Sequence, residues 1–179
     1  MLFRSARLAS KLRDHGNADQ LNVICDEAYF GYNRVLLPGY LGESNSKSDL
    51  LFEHGHQPHL SVITENPATH IDCDKRVIKL REGHLDYDVL VLATGSVVPR
   101  PACLPQDLSN VFTLRSMADA ATIRELSRQA SKAVVIGGGL LGLETASAIA
   151  RHSVKVSIIH RNANILNRQL NAEIGRAHV

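Results

Sequence analysis

Residues 132–160 read KAVVIGGGLLGLETASAIARHSVKVSIIH, and their pattern decides the fold. Ala133–Ile136 form an unbroken apolar run, as expected of a strand covered on both faces. The run enters Gly137-Gly138-Gly139, and a helix over about 140–151 then brings Gly142, Ala146, Ile149 and Ala150 to one face. Residues 154–159 (VKVSII) are the next strand. Strand, helix and strand at this spacing imply a parallel sheet. Gly137-x-Gly139-x-x-Gly142 therefore lies where a strand ends and a helix begins. In such a loop the first glycine permits a tight turn and the second lets the backbone approach a pyrophosphate. The third lets the helix pack close to the strand, and the helix N-terminus offers free N–H groups and a positive dipole end. Gly137, Gly139, Leu140, Leu141 and Gly142 are accordingly candidate contacts for a nicotinamide dinucleotide, NAD(P)H.

About 20 residues beyond such a loop, an acid at the end of the second strand grips an NAD ribose. Here that place is held by His160, followed by Arg161. A missing acid beside a cation suits a 2′-phosphate and hence NADPH. Equally, the two residues cap the strand and touch the adenine side loosely. Both readings stay open.

Working outward, residues 4–14 have helical apolar spacing ended by Gly16, and 21–25 (LNVIC) read as a buried strand closed by Asp26 and Glu27. A loop with Gly31, Pro38, Gly39 and Gly42 follows, enclosing Tyr32-Asn33-Arg34, and a short helical turn is expected at about 48–53. Four β-runs come next: LSVIT, THID, RVIKL, and DVLVLA at 88–93, a fully apolar strand leading into Thr94-Gly95-Ser96. Prolines punctuate a crossing between domains at 99–105. Residues 116–129 are helical, with Met117, Ala120, Ala121 and 123–126 on the apolar side.

Composition excludes several classes of function. The 179 residues are 44% hydrophobic and 21% charged, with a net charge of +2 and interspersed signs, so no nucleic-acid surface is expected. No apolar run approaches the ~20 residues of a membrane span, and the N-terminus has no signal-peptide core. Cys25, Cys73 and Cys103 form no CxxC pair and read as buried, reduced thiols of a cytoplasmic protein. In His54-x-His56-x-x-His59, Gly55 and Pro58 break helical spacing and only Glu53 is nearby; these are expected to be solvated loop histidines and not a metal site. No GxSxG nucleophile motif is present, and no catalytic acid–base pair is evident.

Taken together, these segments resemble the FAD-dependent pyridine nucleotide-disulphide oxidoreductases. YDVLVLATGS (Tyr87–Ser96) resembles that family's "ATG" motif beside FAD, and VFTLRSMADA (Val111–Ala120) resembles its connector into the NAD domain. GGGLLGLE (Gly137–Glu144) is similar to its NAD(P)H loop, including the helix glutamate Glu144. Two further stretches, CDEAYFGYNRVLL (Cys25–Leu37) and IIHRN with LNRQLNAE (Ile158–Glu173), resemble the family's nitrite reductase branch. Histidine commonly replaces the strand-end acid in that branch, which includes NADH users.

The resemblance implies an α/β fold of two Rossmann-like dinucleotide-binding domains. Residues 1–112 would form an FAD domain without its first strand and glycine loop, since Met1–Ser5 holds no glycine. Residues 113–179 would form a truncated NAD(P) domain. Asp26 or Glu27 would hold the FAD adenosine ribose, Arg34 would lie near the FAD phosphates or adenine, and Ala93, Thr94 and Gly95 would line the flavin site. Electrons would pass from NAD(P)H through FAD to a metal centre, either on downstream iron–sulfur and sirohaem domains or on a separate acceptor protein. A ferredoxin- or rubredoxin-reductase-like flavoprotein and a non-catalytic dinucleotide-binding module are the alternatives. A disulfide reductase would need a redox cysteine near the flavin, and none lies in 27–72. The closing heptapeptide EIGRAHV (Glu173–Val179) also matches one frame of a common sequencing adapter, so a truncated chain, inactive alone, is expected.

Overall fold

The structure is a computed structural model and describes residues 4–16, 19–52, 59–101, 104–105, 107–167 and 169–170. The chain forms two compact units, Met1–Asn33 with Leu51–Val97, and Arg34–Leu50 with Val98–Val179. Each is an α/β assembly in its own right.

In the first unit, helix α1 (Arg4–Asp14) precedes strand β1 (Leu21–Ile24), which pairs in parallel with β2 (Leu60–Ile63) from Leu21↔Leu60 to Ile24↔Ile63. The small residues Ala6 and Ala9 let α1 lie close to this pair. They form a buried cluster with Val23 and Phe30, against which Leu21, Cys25 and Leu60 pack. A second sheet is an antiparallel meander of β3 (Ala68–Asp72), β4 (Val77–Leu80) and β5 (His84–Asp86). The Asp72 carboxylate accepts the Lys75 N–H at 2.9 Å in its first turn, and Gly83 takes φ +87° in its second.

In the second unit a 3-10 turn (Arg34–Leu36) leads into α2 (Leu37–Leu41), followed by α3 (Lys47–Leu50) and α4 (Met117–Ser127). Strand β6 (Lys132–Ile136) then enters α5 (Leu140–Ala150), and β7 (Lys155–Ile159) pairs in parallel with β6 from Lys132↔Lys155 to Ile136↔Ile159. This is the strand–helix–strand read from residues 132–160. Helix α4 opens on a capping box: Ser116 Oγ accepts the Asp119 N–H at 3.0 Å, and the Asp119 carboxylate accepts the Ser116 N–H at 2.8 Å. Helix α2 packs against α4 and α5. The Arg124 guanidinium lies 4.5 Å from the Tyr40 ring centroid, and His152 Nε2 donates to the Leu41 carbonyl at 2.9 Å.

Several expectations need correction. Residues 88–93 form no strand; Val89 and Leu92 are 83% and 67% exposed. A fully apolar strand needs ladder partners and cover on both faces, and no described strand pairs with it. The segment expected to loop around Pro38 and Gly39 contains α2, because Pro38 occupies its first turn and Gly42 its C-cap. Strand β5 was not anticipated, and of the cysteines expected to be buried, Cys73 is exposed and Cys25 half-buried. On α5 the buried residues are Thr145, Ala146, Ala148 and Ile149, and Ala150 faces outward. On α4 Leu126 is exposed and Ser127 is buried.

Candidate functional site

The glycine loop begins where the β6–β7 ladder ends. Gly137 N–H donates to the Ile159 carbonyl at 2.8 Å, extending the ladder by one bond, and its φ of +124° then turns the chain out of the sheet. Only glycine adopts that angle without strain. Three residues into α5, a Cβ on Gly142 would fall 1.9 Å from the Gly137 carbonyl oxygen. The helix thus rests directly on the turn. Gly139 is the opposite case, since a Cβ there would meet nothing within 4 Å. It is the N-cap of α5 and supplies no capping side chain. The first N–H groups of any α-helix lack intrahelical partners; here they belong to Leu140, Leu141 and Gly142, and Leu143 N–H begins the helical ladder by donating to Gly139 at 3.0 Å. A glycine-lined space with unspent N–H groups at the positive end of a helix matches what a pyrophosphate requires. For NAD(P)H the residues present fit.

His160 is half-buried, and its Nδ1 accepts the Gly138 N–H at 3.1 Å, while Nε2 is buried without a hydrogen-bond partner. Arg161, Glu144, Leu140 and Leu141 are exposed. The loop and His160 are therefore brought together. The reading from sequence passed over Gly138, an unspecified position in the fingerprint, although the triple glycine was its signal.

The flavin-side candidates divide between the units. In the first unit Asp26 is exposed just beyond β1, and the Glu27 carboxylate accepts a hydrogen bond from the buried Tyr32 hydroxyl. Ala93 is half-buried, Thr94 is exposed, and Gly95 has φ +75°. Arg34 belongs to the second unit, where Nη1 donates to the Arg115 carbonyl. The sequence holds one G-x-G-x-x-G, and it is on the nicotinamide side. Among the described residues no second strand, glycine loop and helix is available for an FAD pyrophosphate.

Burial, reinforced by the Asp26 and Glu27 carboxylates, pushes the Cys25 thiol up to about 11. A thiol held protonated at neutral pH is a poor redox nucleophile. Among the described residues no group of three His, Cys, Asp or Glu side chains is placed to hold a metal, and His54 and His56 lie outside those residues, as do Cys103 and Glu173–Val179. No described helix is long and apolar enough to cross a membrane.

Residues 5–178 match the family model for pyridine nucleotide-disulphide oxidoreductases. The chain is 35% identical over 164 residues to a nitrite reductase [NAD(P)H] of Bacillus subtilis, covering 88% of this chain and 20% of the relative. It is 31% identical over 164 residues to an NADH-rubredoxin oxidoreductase of Clostridium acetobutylicum, covering 89% of this chain and 43% of the relative. The crystal structure of the NADH:rubredoxin oxidoreductase from Clostridium acetobutylicum superimposes with a TM-score of 0.80 at 29% identity, over 96% of this chain and 46% of that one. The chain thus spans less than half the length of these relatives. It shares the FAD/NAD(P)-binding oxidoreductase fold, and it belongs to the pyridine nucleotide-disulphide oxidoreductase family, whose members use FAD and NAD(P)H.

Proposed function

We propose that the chain is the NAD(P)H-entry part of a flavin-dependent oxidoreductase that delivers electrons to a metal-centre acceptor, in the manner of the nitrite reductases. The carrying observation is the one-sidedness of the glycine loop: no Cβ fits at residue 142, and open space faces residue 139. In this reading the N–H groups of Leu140, Leu141 and Gly142 hold the pyrophosphate, Gly137 and Gly139 keep the backbone clear, and Glu144 completes the helix side. His160 and Arg161 stand at the adenosine ribose. On the flavin side Asp26 is the better ribose partner, because Tyr32 engages the Glu27 carboxylate. Arg34 and Ala93–Gly95 are assigned to FAD on family resemblance. When bound, the nicotinamide supplies a hydride and the flavin converts two-electron into one-electron transfer. The residues 1–112 and 113–179 remain our division into FAD and NAD(P) parts, and a cytoplasmic location accords with it.

Calorimetric titration tests the nucleotide assignment. Replacing His160 with Glu should penalise NADPH relative to NADH by about 1–3 kcal/mol through repulsion of the 2′-phosphate. An unchanged NADPH/NADH ratio in both His160→Glu and Arg161→Ala would remove the two residues from the ribose site. The second reading, a rubredoxin-reductase-like flavoprotein, is favoured by the similarity to the clostridial enzyme. Reduction of added rubredoxin would support it over a metal centre carried on the same polypeptide.

A further inference from the structure

Gly138 is glycine for a reason that pyrophosphate binding does not supply. Its backbone is not left-handed, yet a Cβ there would lie 2.9 Å from His160 Cγ and 3.0 Å from Ile165 Cγ2. Both polar groups of the residue are engaged by the segment that follows β7. The N–H donates to His160 Nδ1 at 3.1 Å, and the carbonyl accepts the Leu166 N–H at 2.8 Å. Leu166 reaches it from a left-handed φ of +50°. A ring nitrogen that accepts carries no proton, so the His160 proton resides on Nε2. An acidic side chain, the usual strand-end residue, has no such fixed pair of acceptor and donor.

We propose that His160 is a positioning residue that clasps the glycine loop. Through Nδ1 it takes up the Gly138 N–H, fixing the middle of the loop and leaving the first-turn N–H groups of α5 to the dinucleotide. Gly138 lacks a side chain to admit the ring. The proposal rests on the dinucleotide reading for its consequence, but the clasp itself is measurable without a nucleotide.

Amide hydrogen exchange of Gly138 in the 179-residue chain, with NAD(P)H titrations alongside, tests it. In His160→Asn, Oδ1 stands where Nδ1 stood, so Gly138 protection should be retained. His160→Gln moves the amide one carbon outward and His160→Leu removes the acceptor. Both should lose Gly138 protection and weaken binding by about three- to tenfold, the equivalent of one net hydrogen bond. Gly138→Ala should weaken binding similarly, with little further loss when added to His160→Leu. Thermal midpoints close to wild type in the Asn and Leu variants confirm that both are folded. Protection of Gly138 undiminished in His160→Leu, or lost equally in Asn and Leu, overturns the clasp. If Gly139→Val binds NAD(P)H normally, the dinucleotide reading fails instead, while Gly138 exchange still decides whether the clasp exists.

Discussion

A methyl group on residue 142 would sit 1.9 Å from the Gly137 carbonyl oxygen, a backbone atom that cannot rotate aside. Gly142→Ala should therefore push α5 off its turn and destabilise the second unit by about 1–3 kcal/mol, as over-packing does. Urea unfolding of the two proteins measures this, and equal midpoints would show that the helix does not rest on the loop. Cys25 supports a second residue-level prediction. With its thiol raised to about 11 by burial and the neighbouring carboxylates, the thiolate is scarce in the folded state until pH nears that value. At about pH 8, iodoacetamide should label the exposed Cys73 well before Cys25, and Cys25 labelling should climb as pH rises. Equal rates at about pH 8 would contradict the assigned environment. Gly137, Gly139 and Gly142 were legible in the sequence because their spacing alone states a steric need. The Gly138–His160 pairing was not, because it joins positions that meet only when β6 and β7 pair.

At the scale of elements, the segments with a strong local signal appear where the sequence places them. Helix α4 has a Ser at its N-cap and Asp119 three residues on, while β6, α5 and β7 alternate apolar strand with small-residue helix. Ser116→Ala removes one half of the capping box and should cost about 1 kcal/mol. It should lower the thermal midpoint by a few degrees and speed exchange at the Asp119 N–H; no change in either would mean the cap contributes nothing. Helix α2 was hidden because Pro38 and Gly39 read as loop residues, although proline in a first turn and glycine at the C-cap also frame a helix. Burial of Leu37, Tyr40 and Leu41 holds it in place, and such side chains contribute about 1.5–3 kcal/mol each. Residues 88–93 show the reverse error. Apolar β-branched sequence supplies a preference for extended backbone, but strand formation depends on a neighbour that local sequence does not contain.

Among the described residues of the second unit, one face of the β6–β7 pair is uncovered. Lys132, Val134 and Ile136 share that face with their register partners Lys155, Ser157 and Ile159, and all six are exposed. Parallel strands are ordinarily covered on both faces, and exposed apolar patches drive association. Val134→Lys combined with Ile159→Lys should reduce concentration-dependent light scattering without altering the circular dichroism; unchanged scattering would clear this face of blame. Gly139→Val decides whether Gly137–Gly142 is a dinucleotide site. Residue 139 has open space and an extended backbone of φ −85° and ψ 179°, so valine should leave β6 and α5 folded while filling the pyrophosphate's place. Calorimetric titration with NADPH and NADH should give one site in the wild-type chain and no measurable binding in Gly139→Val at an unchanged melting temperature. Undiminished binding in that variant would rule out the loop as the dinucleotide site.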